Sequence, residues 1–437
     1  MEVAVLAEPK TTIEVTPEGA LADEPVSISV TGLPPGRQVS VTASTRDDSG
    51  QRWESRAVFT SDEAGALDLD TAGSRGGTYS GPDGAGLFWS MTPASEKDAH
   101  PFTKQTIEPL ALDLSVELDG TVAASRRIER PYLAAGVESV PLSDEGLVGT
   151  YLRPGGEGPF PGVLLLHGTV KRMLVDYGAL LASRGFAALA LQYFGVEGLP
   201  PELMEIPLEY FGKAIEWMRA RPEVDGERIA VQGVSRGGEL ALLVGANSEQ
   251  VKAVVSIAGS GVVFQGLPED RRDGSVKAAW THGGEPVGFV TRRDSLGFTF
   301  HAVWAGFTGG TFSTLSSYSG GMDDGEAVAK ATIPVEKIRG PVLMASGSGD
   351  MMWPSEACSR IAADRLASSG HEYPVELLVY QDAGHGLGLP YRPTTLGYIP
   401  AGERAKLLLG GSPQGNAHAS ADLWPKVLEF YERWAQT

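Results

Sequence analysis

Hydrophobic positions along this 437-residue chain follow two different rhythms. In the first 136 residues apolar side chains alternate with polar ones. Val26, Ile28 and Val30 are separated by serines in VSISV, and Val39 and Val41 resume the period after the turn GLPPG at 32–36. Leu110, Leu112, Leu114, Val116 and Leu118 do the same through LALDLSVELDG. A period of two sends successive side chains to opposite faces of a pleated strand, so each run predicts a half-buried strand. Turn signals such as RDDSG at 46–50 recur between the runs without an amphipathic helical stretch, which predicts a β-sandwich domain over 1–136.

Beyond residue 137 the apolar runs become nearly continuous: PGVLLLHG at 161–168, FAALALQYF at 186–194, RIAVQG at 228–233, VKAVVSIAG at 251–259, GPVLMASG at 340–347 and VELLVYQ at 375–381. Strands buried on both faces of a parallel sheet require this. Helical stretches separate them, at 176–185, 208–221, 239–247, 355–370 and 424–436. Strand and helix in alternation predict a doubly wound, mostly parallel α/β sheet over 137–437. The Gly- and aromatic-rich stretch from about 260 to 332 breaks the alternation and reads as a lid-like insertion.

Composition narrows the class. With 42% hydrophobic and 21% charged residues, the chain can bury a large core. A net charge of −19 disfavours nucleic acid and anionic membranes as partners. No window approaches eighteen uninterrupted apolar residues, so no membrane span is expected. MEVAVLAEPK carries an acidic Glu2 and no basic n-region, and the single Cys358 cannot form an internal disulfide. Together these lead to the expectation of a cytoplasmic protein. No metal-ligand spacing, phosphate loop or dinucleotide fingerprint is present, so neither metal nor cofactor is expected.

Chemistry enters at Gly233-Val234-Ser235-Arg236-Gly237, a G-x-S-x-G segment directly after an apolar strand and before a helical run. Such a turn is tight enough to force the serine into an unfavourable backbone conformation and to exclude side chains two residues to either side. In return the hydroxyl stands exposed at a helix amino end. A serine nucleophile needs a base, and the base an orienting carboxylate; in the α/β-hydrolase order these follow as acid, then His. Asp350 follows the strand GPVLMASG and His385 lies just after the next strand, in QDAGHGLG, with Asp382 a second nearby carboxylate. Asp350 can also be read as a helix N-cap. His167 also ends a strand, but one that precedes the serine, where a His-Gly pair shapes the oxyanion loop. The oxyanion hole is expected from the backbone N–H groups of Arg236 and Thr169. Cys358 lies inside a helical stretch without elbow glycines and reads as a packed thiol.

With these residues in hand, the chain resembles the family of acyl-CoA thioesterases and bile acid-CoA:amino acid N-acyltransferases. The resemblance runs through TGLPPGRQVSVTASTRDDSGQRWESRAVFTSDEAGALDLDTA and GTYSGPDGAGLFWSM in the first domain. It continues in family order through FPGVLLLHG, LLASRGFAALALQYF, IPLEYFGKAIEWM, IPVEKIRGPVLMASGSGDMMWPS, AGHGLGLPYRP and HASADLWPKVLEFYERW. It implies an immunoglobulin-like sandwich before an α/β-hydrolase domain, with the family triad falling on Ser235, Asp350 and His385. The acyltransferase members place cysteine at the elbow and the thioesterases serine, so Ser235 implies water as the acceptor. The H-G-T-V-K-R segment departs from the glycine-rich segment usual after the third strand. The implied substrate is an acyl thioester of coenzyme A or of a carrier protein. Lys171, Arg172 and Arg236, or Arg292 and Arg293, are candidate cations for its phosphates, and Trp304 and Phe307, among the aromatics at 298–312, are candidates to line an acyl pocket. An amine-directed acyltransferase and a carboxylesterase or lactone hydrolase are the rival enzymatic readings, and a non-catalytic scaffold is a third.

Overall fold

The computed structural model describes residues 10–95, 99–143, 145–268 and 276–436. The amino-terminal segment used above for localisation, and residues 269–275 of the inserted stretch, lie outside the described residues. Two compact units emerge: Met1–Tyr132 with Pro390–Leu396, and Leu133–Leu389 with Gly397–Thr437. The return of residues 390–396 to the first unit is invisible to a reading of linear pattern.

The first unit is built from antiparallel sheets. One has five strands, in the order Thr121–Arg130, Leu110–Leu118, Gln38–Arg46, Arg52–Thr60 and Thr92–Pro93; another has three, in the order Thr12–Thr16, Ser27–Thr31 and Leu67–Asp68. Ile28, Val30, Val39, Val41, Leu112, Leu114 and Val116 are all buried, so the alternating positions do form the inner faces. Trp53 is fully buried among them and donates its indole N–H to Asp47 Oδ2 at 3.1 Å, which removes the cost of an unpaired polar atom in the core.

The second unit is organised on one eight-stranded sheet: β1 (Glu138–Leu142), β2 (Val148–Arg153), β3 (Phe160–Leu166), β4 (Ala187–Gln192), β5 (Val224–Val234), β6 (Val251–Ile257), β7 (Val342–Gly347) and β8 (Val375–Tyr380). Its spatial order is β1-β2-β4-β3-β5-β6-β7-β8. The β1-β2 and β2-β4 pairs are antiparallel and all later neighbours parallel. All six residues of both β4 and β7 are buried, the physical origin of the continuous apolar runs.

Helices α1 (Val175–Ala182), α2 (Glu209–Arg219), α3 (Arg236–Asn247), α4 (Leu296–Thr308), α5 (Ser355–Ser368) and α6 (Pro413–Ala435) accompany the sheet. In α2 the buried Phe211, Ala214, Ile215 and Met218 keep the spacing of one helical face. Helix α6 starts eleven residues before the sequence reading placed it, because Asn416, Ala417, Ala419 and Ser420 on its buried face are too small or polar to register as an apolar stripe. Ser412 caps it by accepting the Gly415 N–H at 2.9 Å. The stretch expected as a lid is in part core: Val262, Val263, Phe264, Trp280 and Val290 are buried.

Candidate active site

Strand β5 ends at Val234, and α3 begins at Arg236. Ser235 between them takes φ +61° and ψ −124°, a conformation unfavourable for any residue with a side chain. The flanking glycines are required by contact. A Cβ on Gly233 would sit 1.9 Å from the Gly237 carbonyl oxygen, and one on Gly237 would sit 2.1 Å from that of Leu166. Gly168, after β3, lies against the same point: a Cβ there would be 3.0 Å from Ser235 Cβ. The two strand ends are therefore wedged together around one hydroxyl.

Three loops converge on it. His385 Nε2 lies 2.8 Å from Ser235 Oγ, and His385 Nδ1 donates to Asp350 Oδ2 at 2.8 Å. Ser235, Asp350 and His385 are only 9%, 5% and 7% exposed, which limits competition from water. Asp350 lies beside the imidazole and is not the N-cap of α5, a position held by Pro354. Its Oδ1 accepts the N–H groups of Met352 and Trp353 at 2.8 and 3.2 Å, closing the turn that precedes α5, while Oδ2 also accepts the Ser355 hydroxyl at 2.7 Å. Asp382, the nearby carboxylate, instead accepts from Ser412 and does not bind the imidazole.

Further residues that sequence reasoning missed hold the histidine. The His385 N–H donates to Leu409 O at 2.8 Å. Asn416, at the start of α6, accepts the Gly384 N–H at 2.7 Å and donates to Gly410 O at 3.1 Å. Trp353 stands edge-on to the imidazole at 6.0 Å and donates to Ala258 O at 3.0 Å. Only the SGDMMWPS spacing, which sets Trp353 and Ser355 just past Asp350, hinted at any of them.

The expectation for the Arg236 side chain is corrected. Its guanidinium is buried, paired with Glu239 at 2.9 Å, and donates to the carbonyls of Phe264 and Gln265 at 2.9 and 3.2 Å, so it is not available to a substrate phosphate. Glu239 in turn accepts the Phe264 N–H at 3.1 Å and the Trp280 indole at 2.8 Å. Burial pushes its carboxyl up to about 7, against the pull of Arg236. This pair fastens the elbow helix to the start of the inserted stretch. The N–H of Arg236, as the first of α3, has no partner within the helix ladder.

Lys171 and Arg172 lie on the loop after β3. Lys171 is exposed with its stem along Gly195, and Arg172 is held by the buried Asp176 at 2.9 Å. Thr169 is partly buried on the same loop. Arg292 lies over Tyr318 at 5.2 Å, and Arg293 pairs with Asp324 at 3.1 Å. The pocket-lining expectation for Trp304 and Phe307 is not met. They are 59% and 75% exposed, because α4 turns the small Ala302 and Ala305 inward instead. Burial also pushes the Cys358 thiol up to about 12, as expected of a packed cysteine. His167 is buried and stacked on Tyr193 at 4.2 Å, and burial lowers its imidazole to about 4, so it is neutral at physiological pH.

Comparison with known proteins agrees with this geometry. The description "Acyl-CoA thioester hydrolase/BAAT N-terminal region" matches residues 23–144, and "BAAT / Acyl-CoA thioester hydrolase C terminal" matches 206–291 and 309–436. The chain is 32% identical to the peroxisomal succinyl-coenzyme A thioesterase of Mus musculus over 427 residues, 96% of each chain. Acyl-coenzyme A thioesterase 1 of Homo sapiens is 32% identical over 94% of this chain and 93% of its own. The mitochondrial acyl-coenzyme A thioesterase 2 of Homo sapiens is 31% identical over 99% of this chain and 86% of its own. A relative this similar along nearly the whole of both chains leaves one conclusion: the chain belongs to the acyl-CoA thioester hydrolase/BAAT family.

Proposed function

We propose that this hydrolase cleaves acyl-CoA to free acid and coenzyme A, with Ser235 as nucleophile, His385 as general base and then acid, and Asp350 as the group that orients and stabilises the imidazolium. One observation carries the reading: a single imidazole bridges a hydroxyl on a strained elbow and a buried carboxylate, at 2.8 Å on each side. His385 Nε2 takes the Oγ proton as Oγ attacks the thioester carbonyl. The oxyanion is assigned to the free N–H of Arg236 at the amino end of α3 and to the N–H of Thr169. Collapse expels coenzyme A, whose sulfur takes the proton back from His385. Water, deprotonated by the same nitrogen, then releases the acid and restores Ser235.

Serine at the elbow supports water over an amine as acceptor. Turnover of short-, medium- and long-chain acyl-CoAs, acyl carrier protein thioesters and aryl esters tests the substrate class. Product masses with and without glycine or taurine test the acceptor. Ser235→Ala is expected to lower kcat by on the order of 10⁴-fold or more with folding retained. Comparable turnover by this variant and the wild type removes Ser235 from its role. Cytoplasmic residence is the proposal for localisation, supported by the single cysteine; among the described residues no helix is long and apolar enough to cross a membrane.

A further inference from the structure

We infer that Gly410 and Gly411 form the spacer that sets the distance between Asp350 and His385, and that Asn416 locks this spacer, so that all three are positioning residues for the triad. The parallel neighbours β7 and β8 end at Gly347 and Tyr380, and the acid and the histidine stand on the loops that follow. The sheet fixes the two strand ends side by side but not the loops that leave them. A carboxylate and an imidazole held at 2.8 Å on separate loops need a third element against which both are set.

That element is the segment 409–411, just past the strand Ala405–Leu408. It is bonded to both loops. The Leu409 carbonyl oxygen accepts the His385 N–H at 2.8 Å and also the Met351 N–H at 3.2 Å, so one atom ties the histidine to the residue next to the acid. Asp350 pairs with Gly410, and Ala383, two residues before His385, pairs with Gly411, each as an isolated antiparallel bridge. Both glycines are required because the gap admits no side chain. At φ +81°, a Cβ on Gly410 would lie 2.0 Å from the Gly349 carbonyl oxygen, and at φ +69°, one on Gly411 would lie 2.3 Å from the Gly384 nitrogen. Gly384 faces the spacer in turn, with its own Cβ position 2.2 Å from the Gly410 carbonyl. The acid loop and the histidine loop therefore both rest on the spacer at backbone contact. Asn416, 4% exposed, joins the spacer to the histidine loop through one side chain, donating to Gly410 O at 3.1 Å and accepting the Gly384 N–H at 2.7 Å.

The inference rests on the triad reading and implies a particular failure. Ordinary van der Waals contact begins near 3.4 Å, and a methyl group on Gly410 has only 2.0 Å, so the acid loop must give way by about 1 Å or more. A misplacement of about 1 Å costs roughly 100-fold in rate. The loss falls on proton transfer between Ser235 and His385 rather than on substrate binding, so kcat drops while KM holds.

Three variants of the full chain test this. Gly410→Ala is expected to lower kcat for acyl-CoA hydrolysis about 100-fold and Asn416→Ala about tenfold or more, each with KM within about twofold of wild type. Both are expected to slow phosphonylation of Ser235 by a fluorophosphonate by similar factors, and to shift or abolish the low-field proton resonance of the His385 Nδ1–H. Gly402→Ala is the control. Gly402 turns the hairpin that leads into the spacer at φ +69°, so alanine strains the backbone there too, but nothing lies within 4 Å of its Cβ position. It is expected to lower the melting temperature and leave kcat within about twofold of wild type. Unchanged kcat in Gly410→Ala and Asn416→Ala overturns the proposal. So does a loss in Gly402→Ala as large as theirs, which would trace the effect to strain in the hairpin. If Gly410→Ala does not fold, Asn416→Ala decides. A wild type inert to acyl-CoA but phosphonylated at Ser235 defeats only the thioesterase reading; one inert to both defeats the triad and the spacer with it.

Discussion

Glu239→Gln keeps the size and shape of a fully buried side chain and removes its charge. The carboxylate lies between the Arg236 guanidinium at 2.9 Å, the Phe264 N–H at 3.1 Å and the Trp280 indole at 2.8 Å, all of them donors. The glutamine amide has an oxygen for only one side of this set, so its NH2 faces either the Trp280 indole or the Arg236 and Phe264 donors, while Arg236, 1% exposed, keeps two backbone carbonyls and the Trp280 and Trp353 rings, each 5.9 Å away. A buried donor left facing that amide NH2 costs about 1–3 kcal/mol, a sizeable part of the roughly 5–15 kcal/mol that holds a domain together. By contrast, breaking an exposed pair such as Glu326 with Lys330 costs roughly 0.5 kcal/mol or less. Urea unfolding followed by far-ultraviolet circular dichroism reads the difference. A loss of about 1 kcal/mol or less for Glu239→Gln would falsify the argument that this pair fastens the elbow helix to the inserted stretch.

Ser355→Ala removes one of the two donors on Asp350 Oδ2 and is expected to lower kcat about 10- to 100-fold through a looser imidazole, with KM nearly unchanged and activity rescued by Ser355→Thr. Steady-state kinetics within twofold of wild type would show that Asp350 needs no help from it. Two buried groups give opposite pH dependence. His167, lowered by burial from 6.5 to about 4, binds more protons unfolded than folded between these values, so its contribution to stability is full above 6.5 and is lost as pH falls. Glu239, raised by burial from 4.5 to about 7, binds more protons folded than unfolded, so its contribution falls as pH rises from 4.5. Relative to wild type, between pH 4.5 and 6.5, the stability of His167→Gln should fall with rising pH and that of Glu239→Gln should rise, each by up to about 1.4 kcal/mol per pH unit. Parallel pH profiles for all three proteins in urea titrations would contradict both assignments.

The chain's own pattern determined the sheet and pointed to the three residues that meet at the candidate site. Continuous apolar runs fix where β3 to β7 lie, because a strand covered on both faces tolerates little else, whereas the run at β8 forms the sheet edge with no buried residue; the two elbow glycines announce a turn that admits no Cβ. Ser235, Asp350 and His385 were legible because each follows a recognisable strand, and strand ends on one edge of a parallel sheet lie close together. Only the folded chain decided what surrounds them. Asn416, Leu409 and Ser355 act through backbone approaches and single hydrogen bonds that leave no periodic trace. Arg236 looked like a free cation until Glu239, one helical turn on, was seen buried against it. The aromatics of α4 looked like pocket lining, since a sequence gives the spacing of an apolar stripe but not the direction it faces. That direction depends on which neighbours arrive to cover it, and here they cover Ala302 and Ala305 and leave Trp304 and Phe307 in water.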